Sequence, residues 1–328
     1  MADLDLRLDR ARLDRIRHGA TVVTTVPTVL RVSGPGALAC LQGLLTNDLE
    51  KPGDGSLVYG ALLTPKGMIV VDAWVLRQGD TFTLIVPPGG HSAALELFTR
   101  QLPPRLARTA DLTGQATVAW LLGAHGFQVL AKSAVGMPDS AGRVASVGGE
   151  LSPVAVALAP EAAPFVGLAV GLSPAVEPLI ARLVAAGAVP GDEGDLHAAR
   201  LLSGWPALGV EIDERTLPQE VRYDEIGGVS YTKGCYTGQE TVARLHFRGH
   251  TNRELRGLRW TDAEPLDGRL VVHGAKDVGS VRSTLTLEDR VLGLGVIRRE
   301  VSPGEEVTAG GRRARVVALP FGVDEVDG

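Results

Sequence analysis

The sequence predicts an α+β protein whose chain ends in a small β-barrel or sandwich. Helical and strand-like runs follow one another as helices and hairpins rather than as a regular βαβ series. After residue 250, short strand-like runs recur at even spacing, with Gly, Asp and Pro between them. The 41 glycines among 328 residues indicate many turns. This length favours about two domains, and we place a boundary near residue 250.

The first 250 residues are predicted to form two α+β subdomains with a break near 105–115. Gln78-Gly79-Asp80 separates two strand-like runs and is typical of a hairpin turn. The segment over 204–234 is rich in turn residues, and a long irregular segment in a compact domain is usually either functional or disordered. The predicted helices are 3–17, 36–46, 91–102, 174–187 and about 192–203, and the predicted strands are 21–32 (interrupted by Pro27), 57–63, 68–77, 81–86, 255–260, 269–274, 278–285, 290–298 and 312–319.

Composition and charge argue against several classes of protein. The net charge is −5 and the isoelectric point is near 5.8, whereas a protein that binds nucleic acid through its whole surface is usually basic. The N-terminal residues mix acids with arginines and contain no apolar run, so they are not a signal peptide. The most apolar stretch, 151–176, contains four prolines and a glutamate. Two cysteines suit a reducing compartment. We therefore expect a cytoplasmic protein without a membrane span.

Residues 233–240, KGCYTGQE, form the most informative segment. A T-x-x-E capping box begins at Thr237 and predicts a helix from there to Gly249. Cys235 would precede the electropositive end of this helix, and Lys233 adds positive charge; both favour the thiolate. The segment therefore predicts a reactive cysteine, and a buried, inert cysteine is the alternative.

Two further residues have contrasting surroundings. Asp72 interrupts an apolar strand, and strand alternation places it on one face with Val70 and Trp74. A carboxylate on such a face lies either at a cavity or in a surface pair. Cys40 lies within an apolar predicted helix, where we expect it to pack in the core.

Segment 233–240 resembles the signature of the YgfZ-type folate-binding proteins. These belong to the superfamily of the glycine-cleavage T-protein, an aminomethyltransferase. The resemblance implies a GcvT-like fold, a multi-domain ring around a central channel. Residues 1–250 would form the folate-binding region and 251–328 the C-terminal β-barrel. The likeness continues, in the family's order, at residues 41–48, 65–72, 200–206, 218–220, 241–244 and 247–249.

The same resemblance implies a function. A tetrahydrofolate, or a one-carbon derivative, would bind in the channel. The protein would assist iron–sulfur cluster assembly or repair, indirectly affecting tRNA modification. Its partners would be iron–sulfur assembly proteins or client enzymes, without a membrane and without an expected nucleic-acid contact. Cys235 would be the functional thiol. The residues assigned to folate binding are Asp72, Lys233, Gly234, Tyr236, Gln239, Glu240, Arg244 and Arg248.

Basic side chains follow the signature segment. Arginine grips folate's glutamate carboxylates and RNA phosphates with the same forked geometry, and a solvated face is the alternative. His246 and His250 are four residues apart, but Gly249 interrupts the helix between them and no third ligand is near, so no metal site is predicted. The arginines of this cluster are Arg244, Arg248, Arg253, Arg256 and Arg259.

Two departures separate the chain from true aminomethyltransferases. Those enzymes have a sequence like R-L-E-A-G at residues 200–204, and its acid helps to hold the pteridine. This chain has Leu202 at the position of that acid. Val71 replaces one member of an acidic pair and leaves Asp72 alone. Aminomethyl transfer needs a carboxylate to orient the folate amine and manage a proton. We therefore favour a folate-using assembly factor. The alternatives are a folate-dependent aminomethyltransferase of the glycine-cleavage type and a non-catalytic folate-binding scaffold.

Overall fold

A computed structural model describes residues 5–133, 136–149 and 153–327, which form three β-sheets with helices packed against them. The strands are β1 (Asp5–Arg7), β2 (Thr21–Thr25), β3 (Thr28–Ser33), β4 (Ser56–Leu63), β5 (Ile69–Gln78), β6 (Thr81–Val86), β7 (Arg108–Asp111), β8 (Ala116–Leu122), β9 (Val144–Val147), β10 (Val154–Leu158), β11 (Gly167–Leu172), β12 (Val189–Gly191), β13 (Arg253–Trp260), β14 (Leu270–His273), β15 (Lys276–Thr286), β16 (Val291–Arg298), β17 (Glu306–Ala309) and β18 (Arg312–Val317). The helices are α1 (Arg10–His18), α2 (Ala37–Gln42), α3 (His91–Gln101), α4 (Gly126–Lys132), α5 (Ser173–Ala185), α6 (Glu193–Leu202), α7 (Gln239–Arg248) and α8 (Val323–Asp327).

The first sheet is antiparallel and has the strand order β4-β5-β6-β3-β7. Strands β5 and β6 form the predicted hairpin: Gln78 pairs with Thr81, and Gly79 takes a φ of 61° that favours glycine. Helices α2 and α3 cover one face, where Leu41 and Phe98 join the apolar cluster of the sheet. Helix α2 is shorter than the predicted 36–46.

The predicted strand over 21–32 is two strands that belong to different sheets. Strand β2 lies in the second sheet, of order β12-β2-β8-β11-β10-β9, while β3 lies in the first. Pro27 stands between them, and because it has no N–H it cannot continue a ladder. The chain returns to the second sheet between Asp111 and Ala116, next to the predicted break between subdomains.

The prediction of a helix beginning at residue 3 was wrong for the described residues. Strand β1 pairs in parallel with the last residues of β15, so the start of the chain adds to the C-terminal sheet. Helix α1 begins only at Arg10, because the Asp9 carboxylate caps it by accepting from the Arg12 N–H at 2.7 Å. Pairing with a strand more than 270 residues away therefore overrides the helical pattern.

The third sheet closes into a C-terminal barrel, as predicted. Six strands follow one another as β15-β14-β17-β18-β13-β16, and pairing between β16 and β15 completes the circle. Trp260 is fully buried in its apolar interior. Strand β17 was not predicted. Helix α7 ends at Arg248 and β13 begins at Arg253, so the chain enters the barrel near the predicted boundary. No helix in the described ranges is long and apolar enough to cross a membrane.

The segment over 204–234 is irregular, as predicted, apart from one 3-10 turn at Pro218–Val221. Arg222 follows that turn with a φ of 67°, a left-handed conformation that is uncommon for a side chain with a Cβ. Its guanidinium donates to the carbonyls of Ser203, Gly204 and Leu319 at 3.0, 2.7 and 3.1 Å. Arg222 thus ties the end of α6 to the C-terminal segment.

Candidate functional site

A cavity of about 290 Å³ lies between β5, the β2–β3 junction, α6 and the start of the irregular segment. We call it the aromatic cavity, because three of the chain's four tryptophans line it. Its size is at the lower limit of cavities that hold small molecules. The side chains used below are Asp72, Trp74, Trp120, Phe165, Glu193, His197, Arg200 and Trp205.

The aromatic rings give this cavity flat walls. Trp74 and Trp205 stack with ring centroids 5.3 Å apart and an interplanar angle of 17°. Phe165 lies edge-on to Trp74 and to Trp120, with 4.9 Å between ring centroids in each case. Tyr59 packs against this group of rings, with 4.7 Å between its ring centroid and that of Trp205. Flat, close-packed aromatic walls favour a planar ligand.

Asp72 places one carboxyl group among these rings. The Tyr59 hydroxyl donates to Oδ2 at 2.8 Å and lies 3.1 Å from the Tyr223 hydroxyl. The other oxygen, Oδ1, is buried without a hydrogen-bond partner in the described residues. Burial raises the pKa of Asp72 to about 6. The cavity position is therefore the correct one of the two that alternation allowed. Val71 points the other way, into the core shared with α2 and α3.

A second buried carboxylate holds the cavity wall to the barrel. Glu211 Oε2 accepts from Arg200 Nη1 at 2.9 Å and from the Ala207 N–H at 3.0 Å. Its Oε1 accepts from the Ser283 hydroxyl of β15 at 2.5 Å. Burial, and then the charge of Arg200, lower the pKa of His197. The imidazole at the cavity is accordingly neutral near pH 7.

A larger cavity, of about 660 Å³, adjoins the aromatic cavity and shares Pro164 and Phe165 with it. Leu202 lines the larger cavity and not the aromatic one. Leu202 and Val71, the two positions at which the resemblance led us to expect acids, therefore lie in different places. Leu202 is at the larger cavity and Val71 belongs to the core, whereas Asp72 reaches the aromatic cavity.

The signature segment lies apart from both cavities. Lys233 is buried, and its ammonium donates to the carbonyls of Gln42, Leu45 and Asn47 at 2.7, 2.6 and 2.8 Å. Burial lowers the pKa of Lys233 to about 8. These hydrogen bonds hold the signature segment against the end of α2. They use all three N–H donors of the ammonium group. Tyr236 is also buried, with its ring 5.1 Å from that ammonium.

The predicted capping box at Thr237 was wrong. Helix α7 begins at Gln239, and Gly238 precedes it with a φ of 83° and no side-chain cap. A Cβ on Gly238 would lie 2.7 Å from the Thr64 carbonyl oxygen, so only glycine fits against this neighbouring turn. The left-handed residue separates Thr237 from the helix. The predicted end at Gly249 is confirmed.

The remaining predicted site residues lie at the surface. Cys235 is exposed and unpaired, and Gly234 and Glu240 beside it are also exposed. Gln239 is half-buried, and Arg244 and Arg248 are exposed on α7. None of them lines either cavity. Among the predicted site residues, the structure thus brings Asp72 alone to the aromatic cavity. Cys40 is half-buried against the cluster of α2 and α3, so it lies at the edge of the core.

The chain is similar in sequence to proteins of a known family. The family described as the GCVT N-terminal domain matches residues 16–143. "tRNA-modifying protein YgfZ" of Edwardsiella ictaluri is 30% identical over 235 residues, 70% of this chain and 68% of that protein. The protein of the same name from Serratia proteamaculans is 27% identical over 285 residues, 82% of this chain and 81% of that one.

Aminomethyltransferases are similar to the chain as well. The "Aminomethyltransferase" of Rubrobacter xylanophilus is 29% identical over 314 residues, 88% of this chain and 79% of that protein. The crystal structure of the glycine cleavage system aminomethyltransferase T from Bartonella henselae superposes with a TM-score of 0.80 at 18% identity. It covers 96% of this chain and 89% of its own, so the two share one fold.

Proposed function

The chain belongs to the YgfZ family of GcvT-like proteins, and from that premise we propose that it is a tetrahydrofolate-binding factor for iron–sulfur cluster assembly or repair. The folate, or a one-carbon derivative of it, binds with its ring in the aromatic cavity. Cluster-dependent enzymes, including some that modify tRNA, then depend on the protein indirectly. The observation that carries the proposal is Asp72, a buried carboxyl among three tryptophans, one oxygen of which has no hydrogen-bond partner in the described part of the chain.

The donor set of the cavity fits a reduced pterin. A pterin is a nearly flat amino-oxo heterocycle with several N–H donors, and a buried acceptor that lacks a partner gains most from such a donor. Trp74, Trp120 and Trp205 line the cavity with aromatic rings against which such a heterocycle packs. The aromatic cavity has room for the ring, and the adjoining cavity has room for the rest of a folate. When bound, the folate supplies a carrier for a one-carbon unit.

The residues around Asp72 are suited to hold a proton near neutral pH. With a pKa of about 6, the carboxyl changes charge close to physiological pH. Tyr59 donates to it and is in turn within hydrogen-bond distance of Tyr223, so the carboxyl is fixed in one orientation. Burial raises the pKa of both phenols well above its ordinary value, so both stay protonated. Asp72 is therefore the group that accepts or releases a proton at the ligand.

The functional thiol in this proposal acts at the surface. Cys235 is exposed, and the exposed Gly234 beside it leaves room for a second protein to approach. A thiol that must meet an assembly protein or a client enzyme has to be accessible in this way. Two free cysteines in the described chain also suit the reducing cytoplasm, where we place the protein.

The aminomethyltransferase remains a second candidate, favoured by the named relative that covers most of the chain. It would need carboxylates at the reacting amine. Leu202 supplies none in the larger cavity, and Val71 is fully buried in the core. Of the two acids that line the aromatic cavity, Glu193 is exposed and only Asp72 is buried, so we favour binding without that transfer reaction.

Complementation tests the proposal in cells that lack their own member of the family. Expression of this chain should restore the activity of an iron–sulfur enzyme and the level of a tRNA modification that depends on one. An empty vector is the control, and immunoblotting confirms that the chain accumulates. If neither readout recovers while the protein is present, the proposed role is wrong.

A further inference from the structure

Helix α7 has one face that no other part of the described chain covers. Val242 is its fully buried anchor, and Leu245 is half-buried on the same side. The opposite side exposes Glu240, Arg244, Phe247 and Arg248, which fall within about a third of the helix circumference at 100° per residue. We call these four residues the α7 face. It directly follows the exposed Cys235.

Phe247 is exposed but held in place. It is 66% exposed, the largest exposed fraction among the large apolar side chains of the described residues. Its ring contacts His246 edge-on, with 4.8 Å between ring centroids. His246 stacks on Tyr231 with 3.6 Å between ring centroids, and both side chains are hydrogen-bonded to Asp224. The phenyl ring is therefore presented to solvent from a rigid support, which is how aromatic platforms offer a face for stacking.

Two arginines share this helix face with the ring. Arg244 and Arg248 form no ion pair with any carboxylate of the described residues, so both guanidinium groups are available. Lys66 is exposed in the turn at 64–67, which packs against the first turn of α7: a Cβ on Gly67 would lie 2.9 Å from Thr241. Glu240 is the one acid on the α7 face. In a protein of net charge −5, the α7 face thus carries two arginines and one glutamate beside the most exposed aromatic side chain, while Asp224 lies behind the ring, bonded to His246.

We propose that the α7 face binds single-stranded RNA, with one base stacked on Phe247 and the phosphates on Arg244 and Arg248. Arginine beside an exposed aromatic ring is an arrangement that binds single strands without base-specific readout. Two guanidinium groups, unpaired among the described residues, against a single carboxylate on the α7 face favour a polyanion, since arginine grips phosphates in a forked geometry. This inference goes beyond the proposed function and does not depend on folate binding. It also differs from the expectation drawn from net charge, since that expectation ignores how the charges are distributed.

The test uses the full chain and a short fluorescein-labelled oligouridylate, followed by fluorescence anisotropy over a salt series. Phe247→Leu should weaken binding roughly tenfold or more at every salt concentration, because it removes the stacking surface. Phe247→Trp should restore binding. Arg244→Ala and Arg248→Ala should each flatten the slope of log affinity against log salt by about 0.7. Arg105→Ala, an exposed arginine far along the chain, is the matched control and should change neither value.

Several outcomes would overturn the inference. The first is no saturable binding of the oligonucleotide by the unmodified chain. The second is a Phe247→Leu variant that binds as tightly as the unmodified chain, which leaves only general attraction of a polyanion. The third is an oligoaspartate peptide that competes as well as RNA, which assigns the α7 face to an acidic protein. Unchanged thermal unfolding of each variant, and unchanged tetrahydrofolate binding of Phe247→Leu, show that a loss of RNA binding is local.

Discussion

Asp72→Asn should weaken tetrahydrofolate binding roughly 10- to 100-fold at neutral pH without unfolding the protein. The substitution keeps the size of the side chain and an acceptor for Tyr59, but it removes the charge that strengthens a hydrogen bond to a ligand N–H. A hydrogen bond to a charged group contributes about 1.5–3 kcal/mol, which corresponds to this range of affinity. Asp80→Asn, an exposed acid at the turn of the same hairpin, is the matched control and should bind normally. Equal affinity of Asp72→Asn and the unmodified chain would remove Asp72 from the site.

The same variant should change how stability depends on pH. Burial raises the pKa of Asp72 from 3.8 in a free chain to about 6 in the folded protein, so the folded state holds the proton more tightly. This contribution is fully present below pH 3.8 and is lost as pH rises through about 6. The difference of about two pKa units corresponds to about 3 kcal/mol. Denaturant unfolding at both ends of that window should therefore show the unmodified chain losing more stability than Asp72→Asn as pH rises. Parallel losses would show that Asp72 ionises normally.

Cys235→Ser should abolish complementation while leaving the fold and folate binding intact. Serine has nearly the same shape, and the exposed thiol lines neither cavity, so unfolding midpoint and tetrahydrofolate affinity should not change. The loss arises because a hydroxyl lacks the nucleophilicity and the metal and sulfur affinity of a thiolate. The assay is recovery of iron–sulfur enzyme activity in cells without their own family member.

Cys40→Ser provides the control for that experiment. Cys40 is half-buried within α2, so its replacement should lower stability slightly and keep complementation. Full complementation by Cys235→Ser would show that the thiol has no role. The folate-binding scaffold would then be the better description of the protein.

Sequence patterns predicted the elements that are set by neighbouring residues in the chain. The hairpin at Gln78 and Gly79 and the ends of α3 and α6 followed from alternation, helical periodicity and turn residues. Elements fixed by distant contacts were not predictable. Strand β1 forms because the last residues of β15 extend past β14 and can pair with it. Thr237 fails as a cap because Gly238, packed against the turn at Thr64, takes a left-handed conformation.

The site shows the same division. Asp72 was identifiable because a lone acid interrupts an apolar strand. Its partners Tyr59 and Tyr223 were not, because the chain brings them together from 164 residues apart. No sequence pattern identified Glu211 either, because the side chains that donate hydrogen bonds to it come from α6 and β15. Because Lys233 and Cys235 are close in sequence, we assigned both to one site. In the structure the lysine is buried and hydrogen-bonded to backbone carbonyls after α2, whereas the thiol is exposed. Contacts between residues that are distant in sequence are the ones that the pattern of a single sequence does not reveal.

Anaerobic calorimetric titration of the unmodified chain with tetrahydrofolate tests the central claim most directly. The account predicts saturable binding at about one site per chain, together with much weaker binding of p-aminobenzoylglutamate, which lacks the pterin ring that the aromatic cavity is proposed to hold. Failure of tetrahydrofolate to bind even at millimolar concentration, or equal binding of the ringless fragment, would contradict it.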